Sequence, residues 1–132
     1  MQQTVLVVDD EPSNRVTLER LLARDGFHVL HAESGREAME QLRRHSVDVV
    51  LTDLKMPGMS GLDLLKAVRT LDPDIEVVVM TAYGTVEAAV EAMKEGAYDF
   101  VSKPLKRLEL LTTLRKCLEK RALQLENRRL RE

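Results

Sequence analysis

The chain's 132 residues are 44% hydrophobic and 32% charged, with one cysteine and a net charge of −2. That length suits one globular domain, the lone Cys117 excludes an internal disulfide or a cysteine-based metal cluster within one copy, and the acidic balance argues against a domain-wide nucleic-acid surface. No apolar stretch approaches the roughly 20 residues needed to cross a bilayer, and Met1-Gln2-Gln3-Thr4 has no signal-peptide character, so a cytosolic location is expected, with no membrane contact.

The run Val5-Leu6-Val7-Val8 reads as a strand apolar on both faces, ended by Asp9-Asp10. Leu18-Leu21-Leu22 repeats at helical spacing, and Gly26 stands where a left-handed C-cap would close that helix. Phe27 to Ala32 is a second strand, and Ala38 with Leu42 stripes a second helix. Val47 to Leu51 gives a third strand, with Asp53 at its end. Met56-Pro57-Gly58-Met59-Ser60-Gly61 then makes a tight loop into a helix striped by Leu64-Leu65-Val68. Ile75 to Met80 is the fourth strand, ended by Thr81; Val86-Ala89-Val90-Met93 marks the fourth helix and Gly96 its cap. Tyr98 to Val101 is the fifth strand, ended by Ser102-Lys103-Pro104, and a last helical pattern starts near Leu105 and can run through Glu132. His28, His31 and His45 have no metal-binding spacing, and Cys117 reads as a plain helical residue.

Five strand–helix repeats imply right-handed crossovers and a doubly wound α/β sheet covered by helices on both faces. Ligands of such folds sit beyond the carboxyl ends of the strands. That rim collects Asp9, Asp10, Asp53, Thr81 and Lys103. Asp10 alone could simply cap the helix opened by Pro12, but acids recur at the end of a second central strand. Crowded carboxylates call for a hard divalent cation, and Mg2+ fits best because it combines one or two carboxylates with waters and a phosphate oxygen. One carboxylate can then attack phosphorus and form an acyl phosphate, with Thr81 and Lys103 holding the phosphoryl oxygens.

Val-Val-Asp9-Asp10-Glu11, Asp53-Leu-Lys-Met56-Pro57-Gly-Met-Ser-Gly61, Thr81-Ala82 and Lys103-Pro104 resemble, in order and spacing, the receiver domains of bacterial response regulators, over residues 4 to about 118. The resemblance implies a flavodoxin-like, CheY-like (βα)5 sheet of order 2-1-3-4-5. It makes Asp53 the phosphoacceptor, with Mg2+ held by Asp10, Asp53 and the backbone carbonyl of Lys55, and Asp9 acting through water. Thr81 and Phe100 take the switch positions, and Lys103 is the cationic partner, followed by a cis bond to Pro104. Phe100 departs from the tyrosine of many relatives; read without the family, it is a core aromatic of strand five. Lys55 and Tyr83 stand where relatives tune the lifetime of the acyl phosphate.

The resemblance also implies a sensor histidine kinase as phosphodonor, and a homodimer through the face of the fourth helix, fifth strand and fifth helix, including Val86 to Lys94. Residues 1–118 read as the receiver and 119–132 as a helical extension. In the tail, Leu114, Leu118 and Leu125 continue one stripe while Leu123 and Leu130 begin another, slightly rotated, as expected of a coiled-coil seam; a solvated helix held by charge pairs is the alternative. Residues 115–132 hold seven Lys/Arg against three Glu, leaving the remainder at about −6. Thr81 to Val90, Gly96 to Leu105 and the terminal Leu-Glu-Asn-Arg-Arg-Leu130 look most like the receiver of NtrC-type sigma-54-dependent activators. A P-loop ATPase domain and a helix-turn-helix are therefore expected after residue 132, and no direct nucleic-acid contact by this domain. Among rival readings, a magnesium-dependent phosphatase lacks its second acid, since Lys55 stands there, and a flavodoxin-type cofactor carrier lacks a hydroxyl-rich loop after strand one. A degenerate, binding-only receiver would normally have lost part of the acid set.

Overall fold

A computed structural model describes residues 2–82 and 86–131. Strands β1 (Thr4–Val8), β2 (His28–Ala32), β3 (Val49–Asp53), β4 (Glu76–Thr81) and β5 (Asp99–Ser102) alternate with helices α1 (Pro12–Arg24), α2 (Gly35–Arg44), α3 (Gly61–Leu71), α4 (Val86–Lys94) and α5 (Arg107–Arg131). All strand pairs are parallel, in the order β2-β1-β3-β4-β5, the order that the family resemblance implies.

The continuous apolar runs of the central strands follow from burial on both sheet faces. Leu6, Val8, Val50, Val77 and Val79 pack under α2, α3 and α4 through Leu42, Leu64, Leu65, Val68 and Ala92. The alternate residues Val5, Val7, Leu51, Val78 and Met80 face α1 and α5, meeting Leu18, Leu22, Leu110, Leu114 and Cys117. The reversal of strand order between β1 and β3 opens the crevice at their carboxyl ends where a ligand would sit.

Local signals fix the helix starts. Ser34 accepts a hydrogen bond from the Glu37 amide to cap α2, and Ser60 with Asp63 forms a reciprocal capping box on α3. Gly26 and Gly96 take positive φ (+92° and +104°) after α1 and α4, where a side chain would be strained.

Strands β2, β4 and β5 each begin one residue later than the apolar runs suggested, and two boundaries differ by more. β3 begins at Val49, although Val47 is buried; Asp48 between them turns its carboxylate back to accept from the Thr4 amide at 2.7 Å. α5 begins at Arg107, two residues after Leu105. Leu118 is the last buried residue of α5 among the described residues. Leu123 and Leu130, 67% and 74% exposed, lie about half a turn around the helix from Leu114. The second leucine stripe therefore faces away from the domain; it is not a slight rotation of the first.

Candidate functional site

The carboxyl ends of β1 and β3 bring Asp9, Asp10 and Asp53 together. One carboxylate oxygen from each lies within 4.8 Å of the others. Asp9 is fully buried, Asp53 is 9% exposed and Asp10 is exposed. Burial of Asp9 is compensated by donors: its Oδ1 accepts from the Glu11 amide at 2.9 Å and its Oδ2 from Asn14 Nδ2 at 3.3 Å. The Asp9 carbonyl also accepts from Arg15 Nη1 at 2.6 Å. The N-cap of α1 is Glu11, with no side-chain cap, so the reading of Asp10 as a helix cap is set aside and its carboxylate is left to the acid cluster.

From the β5–α5 loop, Lys103 Nζ donates to Asp53 Oδ2 at 2.9 Å and stands 3.8 Å from Asp9 Oδ2. Its position is secured by its own amide, which donates to the Thr81 carbonyl at 2.8 Å, and the peptide to Pro104 is cis. Burial disfavours the Lys103 ammonium, but the hydrogen bond to Asp53 and the charges of Asp53, Asp9 and Asp10 outweigh it, and its pKa is raised. Lys103 is therefore a fixed positive charge at neutral pH.

Thr81 is 4% exposed at the end of β4, one residue past the partner of Asp53 in the β3–β4 register. The Lys55 amide points at Asp53 Oδ1 from 3.4 Å while the Lys55 residue is exposed. Phe100 on β5 is 40% exposed, which overturns the reading of it as a core aromatic. Tyr83 lies outside the described residues.

Two positions escaped the sequence reading, and a third, Gly61, was read only as part of the loop into α3. Asn14 and Arg15 sit in the first turn of α1 and look like ordinary solvated helix residues until the turn folds back over Asp9. Gly61 is needed for close approach: a Cβ there would meet the Asp53 carbonyl oxygen at 2.2 Å and Leu54 Cα at 2.7 Å. Its amide donates to the Leu54 carbonyl at 2.9 Å, drawing the start of α3 against the backbone that carries Asp53. A glycine opening a helix after a Pro-Gly loop was the available signal.

Three acids against Lys103 and the Arg15 guanidinium on the Asp9 carbonyl leave an excess of negative charge, and every donor atom of the trio is a hard carboxylate oxygen. That set matches a divalent cation of the magnesium or calcium type and does not suit a soft metal.

A doubly wound sheet of this order, with an acid trio and a lysine at its carboxyl rim, defines a receiver-type α/β domain. The chain belongs to the response regulator receiver domain family, whose model matches residues 5–115. It is 47% identical over 114 residues to the transcriptional regulatory protein ZraR of Escherichia coli (strain K12), covering 86% of this chain and 26% of that protein. The DNA-binding transcriptional regulator NtrC of the same strain is 45% identical over 100 residues, covering 76% of this chain and 21% of that protein. A crystal structure of NtrX from Brucella abortus in complex with ADP superposes with a TM-score of 0.95 at 31% identity, over 100% of this chain and 30% of that one. The chain thus spans about a quarter of the length of the curated relatives it matches, and its receiver is of the NtrC type.

Proposed function

We propose that the domain is a phosphorylation switch in which Asp53 accepts a phosphoryl group from a phosphohistidine of a sensor histidine kinase. The observation that carries this reading is the convergence of Asp9, Asp10 and Asp53 within 4.8 Å with Lys103 on Asp53 at 2.9 Å. An Asp53 carboxylate oxygen attacks phosphorus, the bond from phosphorus to the donor nitrogen breaks, and the imidazole leaves with the electron pair and takes up a proton. Asp10, Asp53 and the Lys55 carbonyl would hold Mg2+, with Asp9 acting through water; the ion supplies charge neutralisation at the phosphoryl oxygens.

Lys103, already charged, stays beside the new group and stabilises its oxygens, and the Thr81 hydroxyl donates to another. Movement of Thr81 toward the phosphoryl group opens space that Phe100 can enter from the surface. The change alters the face of α4, β5 and α5 and, with it, a homodimer built on that face and on the end of α5. The output, by similarity, is a cytoplasmic sigma-54-dependent activator whose ATPase and DNA-binding domains follow this one. Lys55 and Tyr83 would set the lifetime of the acyl phosphate by limiting access of water.

Intact-mass spectrometry after incubation with magnesium and phosphoramidate tests the proposal. One added phosphoryl group in the parent chain, absent in Asp53→Asn and without EDTA-resistant formation, is expected. No adduct in the parent would leave a binding-only receiver, whereas steady release of phosphate from simple esters would mark a phosphatase.

A further inference from the structure

At the opposite, amino edge of the sheet lies a second polar cluster that the phosphoryl chemistry does not use. Glu76, the first residue of β4, is 1% exposed. Its Oε2 accepts from Lys120 Nζ at 3.3 Å; its Oε1 makes no hydrogen bond and stands 3.7 Å from Arg69 Nη1. Lys120 Nζ also lies 5.5 Å from the centre of the Tyr98 ring. Arg121 bridges two loops, donating through Nη1 to Asp48 Oδ1 at 2.8 Å and through Nε to the Asp74 carbonyl at 2.9 Å. The Asp74 carboxylate pairs with Arg128.

Lys120, Arg121 and Arg128 lie on α5 beyond Leu118, where apolar packing has ended, while Arg69 reaches Glu76 from α3. Arg121 and Arg128 continue the stripe begun by Leu110, Leu114 and Cys117, so the helix changes from an apolar to an ionic seam without changing the face it shows the domain. A segment as short as 119–131 is marginal as an isolated helix. Asp48 is held in turn by the Thr4 amide, and Arg69 by the Pro73 and Ile75 carbonyls at 2.8 and 3.3 Å, which ties the seam to the starts of β1 and β4.

We propose that Asp48, Asp74 and Glu76 form a clasp that holds Lys120, Arg121 and Arg128 and fixes the direction in which α5 leaves the domain. The clasp makes the 25-residue helix, about 37 Å long, one rigid body with the sheet. A tilt at its origin is then delivered undiminished to its far end, and Leu123 and Leu130 are held outward. Because Glu76 is buried, removing Lys120 leaves its carboxylate with Arg69 alone, at 3.7 Å, so opening the clasp there is costly.

Hydrogen exchange read by mass spectrometry on the whole chain, without metal or phosphodonor, tests this independently of the chemistry at Asp53. Arg121→Gln with Arg128→Gln on the helix side, and Asp48→Asn with Asp74→Asn on the loop side, are each expected to speed exchange of residues 119–131 by about tenfold while α1 and the sheet keep their protection. Combining the two pairs should add little, since both break the same contacts, and 1 M NaCl should move the parent toward the variants. Exchange of 119–131 that is already unprotected in the parent, or unchanged in both variants, would overturn the clasp. So would acceleration spread evenly through the domain, which would mark the cluster as a general stability element.

Discussion

Asp10→Asn is the sharpest probe of the acid cluster, because it removes one charge and leaves the shape. At 4.8 Å, the outer limit of the spacing, two unit charges repel by about 0.9 kcal/mol in bulk water and about 3.5 kcal/mol at an effective dielectric constant of about 20. Asp10 is exposed, so its two repulsions, with Asp9 and with Asp53, belong near the lower figure. Its attraction to Lys103 offsets part of them, but it is the smallest of the influences that raise the Lys103 pKa. The metal-free variant should therefore be more stable by about 1–2 kcal/mol at low salt, which raises Tm by about 3–8 °C. The gain should fall steeply in 1 M NaCl, where the Debye length is about 3 Å. Magnesium should reverse the order: at about 100-fold over its Kd it stabilises the parent by about 2.7 kcal/mol, and the variant, short of a ligand, responds weakly. Thermal unfolding followed by circular dichroism, in EDTA and in a magnesium titration, reads both effects. A variant no more stable than the parent in EDTA, or two proteins that respond alike to magnesium, would refute the electrostatic reasoning.

Gly61→Ala should destabilise the domain by about 1–3 kcal/mol and reduce phosphoryl uptake, because the added carbon meets the Asp53 carbonyl at 2.2 Å; urea midpoints and intact mass check the two effects. Phe100→Ala, at a residue 40% exposed, should cost less than about 1.5 kcal/mol, against the roughly 3–5 kcal/mol of a core phenylalanine. Burial, followed by the charge of Glu76, pushes the Cys117 thiol from its ordinary 9.0 up to about 12. Iodoacetamide at pH 8 should therefore label it only in urea. The unfolded chain ionises this thiol above 9.0 while the folded chain keeps its proton to about 12, so stability should decline as pH rises through that window.

The rim was readable in the sequence because each of its residues closes an apolar strand, and strand ends are where a doubly wound fold gathers chemistry. Asp9, Asp10, Asp53 and Lys103 accordingly met as expected. What stayed hidden depends on partners distant in the chain. Glu76 lies within the run Ile75 to Met80 and drew no reading of its own, and its partner Lys120 is 44 residues away. Val47 and Ile75 are only 3% and 6% exposed yet lie just outside the strands; apolar composition records burial, and only strand pairing sets the boundary. Phe100 carries no periodic signal that separates a core ring from an exposed one, since β5 is short and is an edge strand of the sheet.

The uneven charge along the chain has an internal explanation. A basic tail on an acidic globule invites the thought of an anionic partner, yet Lys120, Arg121 and Arg128 pair with Glu76, Asp48 and Asp74, and Arg115 pairs with Asp25 at 2.7 Å. Arg129 is taken by Glu126 on the same helix. The excess of acids before residue 115 and of bases after it is thus the imprint of one element docking on another, each supplying the sign the other lacks. It follows that neutralising the tail should weaken its hold on the domain before it affects any outside ligand. A charge-reversed pair, Asp48→Arg with Arg121→Asp, should recover only part of the protection of residues 119–131 that either change alone removes, since the Thr4 amide and the Asp74 carbonyl also lose their partners, and a seam for an external anion would recover none.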